Sequence, residues 1–277
     1  MNETERGQVT RSAAEVYEDF FVPALFQQWA SRVADAAGIQ SGHRVLDVAC
    51  GTGVVACVAA ARVGSQGSVA GIDINEGMLA VASGKAPHID WRRGPAEALP
   101  FTNDRFDAVV CQFGLMFFED PRAALQEMWR VLRPTGRLAV AVWDSVESSP
   151  GYAALTRLVL RLFGSQAADA LRAPFKMGDA RLLSSLFAEA GIAGAQVTKH
   201  AGTARFPSLQ SWLFTEIKGW VLAGVLDDAQ FELLLRNAEE TLESFVAADG
   251  TVAFDAPAVL ITACRLQPST GSSFTGT

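Results

Sequence analysis

The sequence predicts an α/β protein whose parallel sheet is covered by helices on both faces. Two observations predict this class. Short apolar runs of strand length alternate with segments of helical periodicity between residues 44 and 143, and glycine or proline turns separate them. In addition, 49% of the 277 residues are hydrophobic, which is enough apolar material for a large core.

The first forty residues are predicted to be helical. An aromatic segment at 12–21 precedes a helix at 22–37, whose apolar residues recur at helical spacing, and Gly38 is a suitable cap for its end. The strands that follow are predicted at 44–48, 67–73, 90–94, 106–111 and 137–143. The helices between them are predicted at 54–63, 75–83 and 121–132.

Beyond residue 143 the regular alternation gives way to mostly helical patterns. Asp179 is a suitable N-cap for a helix at 180–190. The other elements predicted here are helices at 152–163, 208–225 and 228–245 and strands at 195–199 and 259–264. The Ser-, Thr- and Gly-rich stretch 268–277 is predicted to be disordered.

Charge and cysteine content argue against several function classes. Lys and Arg number 23 against 30 Asp and Glu, a net charge of −7 that disfavours general nucleic-acid binding. The four cysteines, Cys50, Cys57, Cys111 and Cys264, form no CxxC pair, so no metal or redox site is expected. The polar start and the short apolar runs predict neither a secretion signal nor a membrane span, and a cytoplasmic location is the default expectation. The oligomeric state stays open.

The sequence motif that most directly indicates a function lies at 45–53, where a predicted strand is followed by a glycine turn and then by a helix. Such a turn lets a ligand touch backbone at the carboxyl end of the sheet, because glycine has no side chain to block the approach. Asp73 follows Gly53 by twenty residues and ends the second predicted strand. A carboxylate there can accept hydrogen bonds from both hydroxyls of a ribose.

This motif fits two kinds of ligand. Residues 51–56 also match the G-x-G-x-x-G/A pattern of dinucleotide-binding proteins, so an NAD-dependent oxidoreductase is one reading. Asp47, four residues before Gly51, favours the other, because a carboxylate at the strand tip repels a pyrophosphate. It suits a ligand with an ammonium or sulfonium group, and S-adenosylmethionine carries both together with a ribose.

Five segments taken together resemble the class I S-adenosylmethionine-dependent methyltransferases, and most of all the ubiquinone/menaquinone-biosynthesis C-methyltransferases. They are 47–53 (DVACGTG), 71–79 (GIDINEGML), 94–101 (GPAEALPF), 106–109 (FDAV) and 130–138 (RVLRPTGRL). The resemblance covers roughly residues 40–143. It implies a Rossmann-like, doubly wound, mostly parallel seven-stranded sheet with an antiparallel last strand, plus helical lid and insertion elements. Thr135 departs from the family, which usually has glycine there.

The resemblance also implies a role for each cofactor-site position. Asp47 would organise the ammonium end of the methionine, and Asp73 would bind the ribose. Ile74 and Met78 would sandwich the adenine. The full set of implied cofactor contacts is Asp47, Ala49, Gly51, Gly53, Asp73, Ile74, Met78, Ala96, Glu97, Cys111, Gln112 and Phe113.

The family implies that the acceptor is held by elements outside this core. Aromatic residues are frequent there, and as a set they predict a mostly apolar pocket for a small organic acceptor, although each alone could simply pack in the core. The candidates for acceptor contact are Tyr17, Phe20, Phe117, Trp143 and Trp212. His200 is the candidate general base, with a solvated loop histidine as the alternative.

The expected reaction is O- or C-methylation by in-line transfer with water excluded, with S-adenosylhomocysteine as product. A non-methylating S-adenosylmethionine-binding enzyme such as a cyclase stays open, because fold does not decide function. The predicted division is a helical lid at 1–39, the cofactor core at 40–143, substrate insertions at 144–178 and 201–255, core elements at 179–200 and 256–267, and the tail at 268–277. A fixed helix is the alternative to a lid.

Overall fold

The computed structural model describes residues 11–219 and 226–267. Its strands are β1 (Arg44–Val48), β2 (Ser68–Asp73), β3 (Asp90–Arg93), β4 (Phe106–Gln112), β5 (Leu132–Trp143), β6 (Gln196–His200), β7 (Thr203–Phe206), β8 (Val252–Asp255) and β9 (Ala258–Cys264). Its helices are α1 (Arg11–Val16), α2 (Gln27–Ala36), α3 (Val54–Val63), α4 (Glu76–Lys85), α5 (Pro121–Val131), α6 (Pro150–Phe163), α7 (Ser165–Arg172), α8 (Ala180–Glu189), α9 (Leu209–Gly219) and α10 (Asp228–Thr241). A π-helical turn region, Tyr17–Phe26, joins α1 to α2.

The main sheet has seven strands in the order β3-β2-β1-β4-β5-β9-β6. The first five of these pair in parallel, and β9 runs antiparallel to both β5 and β6. The prediction of a mostly parallel seven-stranded sheet with an antiparallel last strand is therefore confirmed. Strands β1 and β4 lie in the middle of the parallel part and are almost wholly buried, as expected where helices cover both faces.

Several boundaries differ from the predicted ones. Strand β6 runs to His200, one residue further than predicted, so this histidine lies within a strand. The predicted helix at 208–225 is described as far as residue 219, and 220–225 and the tail at 268–277 lie outside the described residues. Helix α7 was not predicted. The two-stranded sheet of β7 and β8 was not predicted either, because four-residue strands give too short an alternating pattern to be recognised.

The N-terminal segment forms one helical stretch rather than two helices. Through its middle the hydrogen bonds span five residues, as where the Gln27 N–H donates to the Val22 carbonyl. Phe21, Val22 and Leu25 are buried in this stretch, and α2 continues the burial with Trp29. The segment is thus packed on the core over most of its length. Among the helices of the described residues, none is both long and apolar enough to cross a membrane.

Thr135 lies at a backbone φ of +69°, a conformation that β-branched residues rarely adopt. This explains why glycine suits the position in the family that the sequence resembles. We expect Thr135→Gly to raise the free energy of unfolding by about 1 kcal/mol, because relief of strain exceeds the entropy that glycine adds to the unfolded chain. Urea unfolding measures the change. Thr135→Ala keeps a Cβ and should give less than half of it, and equal gains would contradict the explanation.

Candidate functional site

One cavity lies at the carboxyl ends of β1, β2 and β4 and brings most of the predicted site together. The predicted residues that line it are Ala49, Gly51, Asp73, Ile74, Met78, Ala96, Glu97, Gln112, Phe113, Tyr17 and Phe117. The lining residues that were not assigned a role from sequence are Phe26, Ile72, Gly94, Pro95, Gly114, Phe118 and Glu119. Segments separated by up to a hundred positions therefore converge on one site, where open α/β sheets bind ligands.

The glycine turn forms one wall of the cavity. Gly51 has a φ of +53°, and a Cβ built there meets no protein atom within 4 Å. Its N–H donates to the Oδ2 atom of Asp73 at 2.8 Å, which ties the turn to the end of β2. Backbone in this wall is open to a ligand at Gly51, as the sequence motif predicts.

Asp73 is held rigidly at the centre of the site. Its Oδ1 accepts the N–H of Asn75 at 2.8 Å, so both carboxylate oxygens accept a backbone hydrogen bond. Asn75 in turn caps α4 by accepting the Met78 N–H. A carboxylate has about four acceptor sites, so Asp73 can also accept a hydrogen bond from a ligand hydroxyl. Burial raises the pKa of Asp73, and these backbone N–H groups act in the opposite direction.

The region assigned to adenine has apolar walls. Ile74 is 45% exposed, which for a large aliphatic side chain at a cavity mouth favours contact with a ligand. Met78 and Ala96 are buried beside it. The Oε1 atom of Glu97 accepts the N–H of Glu119 at 3.0 Å, and both residues line the cavity. The carboxylate of Glu97 thus fixes the loop before α5.

Aromatic side chains form the opposite wall. The rings of Tyr17 and Phe26 stack with centroids 5.0 Å apart, and the ring of Phe26 lies 5.6 Å from that of Phe113. Phe113 has a φ of +56° and stacks in parallel on Trp143 at 3.7 Å. Trp143 does not line the cavity, so the predicted acceptor contact at Trp143 is corrected to support of Phe113. Phe117 and Phe118 complete the wall.

Asp47 lies behind the cavity rather than in it. It is 1% exposed, and its Oδ2 accepts the Ala56 N–H at 3.0 Å, whereas its Oδ1 has no hydrogen-bond partner among the described residues. Burial raises its pKa to about 8. A carboxyl with a raised pKa carries less negative charge near neutral pH than an ordinary aspartate, which weakens the expected repulsion of a pyrophosphate. Asp47 is not among the residues that line the cavity, so the role implied by the family, organisation of the methionine ammonium end, stays a prediction.

Four other predicted residues also lie outside the cavity. A Cβ on Gly53 would meet the ring of Trp91, and Cys111 is fully buried beneath its neighbours Gln112 and Phe113. Phe20 lines a separate groove beside the β7–β8 sheet. Trp212 is fully buried and donates from its Nε1 to Glu216 at 3.2 Å.

His200 is not placed to act as a general base. It lies on β6, the edge strand, and both β5 and β9 separate β6 from β4. Its Nε2 is 2.9 Å from the Oγ1 of Thr198 on the same strand. Within the described residues, nothing from the predicted substrate insertions at 144–178 and 201–255 lines the cavity. The aromatic side of this cavity is formed by the N-terminal helix and the segment after β4 instead.

A lysine that was not predicted from the sequence to belong to the site links the N-terminal helix to the glycine turn. Lys85, the last residue of α4, pairs with Glu18 and donates to the Thr52 carbonyl at 3.2 Å. Glu18 neighbours Tyr17, and Thr52 lies within the glycine turn. No spacing rule links these residues, because their contact depends on how α4 meets the N-terminal helix.

Comparison with known proteins gives a family and a fold. The model of the ubiE/COQ5 methyltransferase family matches residues 8–205, more than two thirds of the chain. A demethylmenaquinone methyltransferase of Renibacterium salmoninarum is 38% identical over 147 residues, which cover 53% of this chain and 61% of that protein. The chain thus spans about three fifths of the length of this relative.

Solved structures share the fold at low sequence identity. The chain resembles Haemonchus contortus phosphoethanolamine N-methyltransferase 2, in complex with phosphomonomethylethanolamine and S-adenosylhomocysteine, with a TM-score of 0.61 and 16% identity, covering 93% of this chain and 58% of that one. It also resembles the [4+2]-cyclase SpnF, with a TM-score of 0.52 and 21% identity, covering 87% and 82%. One fold therefore accommodates methyl transfer and cyclisation in these neighbours.

Proposed function

Since the chain belongs to the ubiE/COQ5 methyltransferase family, we propose that it transfers a methyl group from S-adenosylmethionine to a small, largely apolar organic acceptor. One observation carries the proposal. A single cavity joins an anchored carboxylate beside an open glycine turn to a wall of aromatic rings. The first part suits a nucleoside with an amino-acid tail, and the second suits a flat apolar acceptor.

The residues present fit this cofactor. Asp73 would accept the ribose hydroxyls with the lone pairs that its backbone partners leave free. Ile74 and Met78 would contact the adenine, and the open backbone at Gly51 would face the methionine part. When bound, S-adenosylmethionine supplies a methyl group on a sulfonium centre that is activated for in-line displacement.

The aromatic wall would align the acceptor and keep water out. Alignment of two reactants can contribute roughly 7–11 kcal/mol to lowering a barrier. Tyr17 is the titratable group of this wall, and burial raises its pKa above the ordinary value, assisted by the negative charges of Asp73 and Glu18. Tyr17 would therefore act as a neutral hydrogen-bonding group, and any proton lost by the acceptor would pass to a group outside the wall or to water.

The finer proposal is C- or O-methylation of a planar aromatic acceptor such as a hydroquinone. The relative named above is a demethylmenaquinone methyltransferase, and the rings of Tyr17, Phe26 and Phe113 offer stacking surfaces to a planar ring. A cyclase stays the second candidate, because a neighbour of the same fold has that activity.

Two measurements test the proposal. Calorimetry with the purified chain should show binding of S-adenosylhomocysteine and none of NAD, and the reverse result would favour an oxidoreductase. Methyl-labelled S-adenosylmethionine, offered with demethylmenaquinol analogues and simple phenols, should yield labelled product together with S-adenosylhomocysteine. Conversion of an acceptor without release of S-adenosylhomocysteine would instead favour a cyclase.

The N-terminal helical segment is expected to act as a lid that Lys85 holds closed. Addition of S-adenosylhomocysteine should slow amide hydrogen exchange in Tyr17–Phe26, because the ligand stabilises the closed arrangement. Lys85→Met, which removes the ion pair to Glu18, should lower turnover more than it lowers the melting temperature. Equal exchange with and without the ligand would identify the segment as a fixed helix.

A further inference from the structure

Trp91 on β3 lies directly behind the glycine turn and explains two glycines. A Cβ built on Gly53 would lie 2.5 Å from the Cη2 atom of Trp91, and one built on Gly71 would lie 2.4 Å from its Cζ3 atom. Real Cβ atoms do not approach other heavy atoms so closely. At Gly71 the occupied space requires glycine, and at Gly53 it adds to a φ of +84°, which itself favours glycine. Gly53 is therefore explained without the approach of a ligand.

The indole ring is fixed in this position. Its Nε1 donates to the Ala86 carbonyl at 2.9 Å, just beyond the end of α4. On the strand side, Trp91 is the register partner of Gly71 on β2, and Gly71 is in turn the register partner of Asp47 on β1. A rigid planar group thus spans from the end of α4 to the turn between β1 and α3.

The glycine turn is held between this ring and the cofactor-site carboxylate. On the cavity side the Gly51 N–H donates to Asp73, and within the turn the Gly53 N–H donates to the Cys50 carbonyl at 2.8 Å. On the other side the ring of Trp91 meets Gly53. Trp91 itself does not line the cavity. Its position can therefore affect a ligand through the turn and through the end of β2, where Gly71 precedes Asp73 by two residues.

We propose that Trp91 is a positioning residue that sets how far the Gly51–Gly53 turn projects into the cofactor cavity. The inference rests on the proposed function, because it assumes that this turn contacts S-adenosylmethionine. Removal of the ring would leave space behind the turn, so the turn could move back and Gly51 would lose its fixed position next to Asp73.

Trp91→Ala tests the role directly. The dissociation constant for S-adenosylhomocysteine should rise at least about tenfold, because small displacements of positioning groups have large effects. The KM for S-adenosylmethionine should rise in parallel while kcat changes less than about threefold, whereas a folding defect would lower kcat and leave KM unchanged. Trp129→Ala, at a similarly half-buried tryptophan on α5, should change binding less than about twofold.

A double-mutant cycle with Gly71→Ala tests the steric argument. Gly71 has an ordinary φ, so its substitution by alanine acts through steric contact rather than backbone strain, chiefly the clash with the ring at 2.4 Å and less the contact with the Cys50 Sγ at 3.0 Å. Gly71→Ala should weaken binding strongly in the wild-type chain and by less than about threefold in the Trp91→Ala chain. Equal effects in both chains would overturn the inference.

The remaining outcomes are also decisive. If Trp91→Ala does not fold, Trp91→Leu keeps an apolar side chain and removes the rings that reach the glycines, and it should show the same change in binding. Folded Trp91 variants that bind S-adenosylhomocysteine as the wild type does would refute the positioning role and leave the proposed function intact. A wild-type chain that does not bind S-adenosylhomocysteine would refute the proposed function and this inference with it.

Discussion

Replacement of Asp73 by alanine is expected to weaken S-adenosylhomocysteine binding by roughly 10- to 150-fold, which corresponds to the 1.5–3 kcal/mol of a hydrogen bond to a charged group. The carboxylate has two functions that the variant removes together. In the proposed complex it would accept the ribose hydroxyls, and in the structure it holds the Gly51 N–H at 2.8 Å. Calorimetric titration of the purified variant measures the loss.

The control distinguishes this role from general loss of structure. Asp90→Ala removes a carboxylate from an exposed position on β3, where it pairs with Arg92, and should leave affinity within about twofold of the wild type. Asp73→Ala should keep its circular dichroism spectrum, because α4 retains its Asn75 cap. A folded Asp73→Ala protein with unchanged affinity would remove Asp73 from the site.

The cofactor half of the site was predictable because its signals are local. A glycine turn after a strand and an acidic residue at the end of the next strand are each readable within a few residues. Parallel strands that are adjacent in the sheet bring Gly51 and Asp73 to the same edge, so the contact follows from the topology. Gln112 and Phe113 at the end of β4 also line the cavity, whereas Gly53 and Cys111, predicted with them, do not.

The acceptor half was less predictable because aromatic residues do not specify their partners. Tyr17 and Phe26 are nine residues apart, about 2.5 turns of an α-helix, which would put them on opposite faces. In the wider π-helical stretch their rings stack instead. Trp212 was predicted to contact the acceptor, but it is buried against Phe206 and Phe254, and hydrophobicity alone cannot distinguish a cavity wall from such packing.

Buried charges were the least predictable feature. Nothing in the sequence around Asp47 indicates that its carboxyl is shielded from water, and the predicted repulsion of a pyrophosphate required an ionised carboxylate. The pKa of about 8 follows from the depth of the strand within the sheet, which is a property of the whole fold. Glu216 on α9 is a second such carboxyl, and it lies far along the chain from the motifs that identify the site.

Glu216→Gln is expected to abolish a large pH dependence of stability. Glu216 is fully buried, and its Oε1 accepts the Nε1–H of Trp212 at 3.2 Å, while Tyr152 lies beside it. Burial raises the pKa of Glu216 from its ordinary value of 4.5 to about 8, and the hydrogen bonds from Tyr152 and Trp212 oppose this rise only in part. The folded chain therefore keeps a proton on Glu216 at pH values where the unfolded chain has lost it.

The direction of the pH dependence of stability follows from this difference in protonation between the folded and unfolded chains. Below about pH 4.5 the carboxyl is protonated in both states, so it costs nothing; between about pH 4.5 and pH 8 the folded state binds the extra proton, and stability falls as pH rises. At about 1.36 kcal/mol per pH unit the loss across this window is on the order of 5 kcal/mol.

Glutamine stays neutral, so the stability of the Glu216→Gln variant should increase relative to that of the wild type as pH rises from 5 to 8. Urea unfolding at pH 5, 6.5 and 8 measures the gain, and Glu239→Gln, an exposed residue of α10, should give none. Because Glu216 does not line the cavity, S-adenosylhomocysteine affinity should be unchanged in the variant. Parallel stability curves for the wild type and Glu216→Gln would mean that the carboxyl is ionised inside the folded protein, and the assignment of the pH dependence to Glu216 would fail.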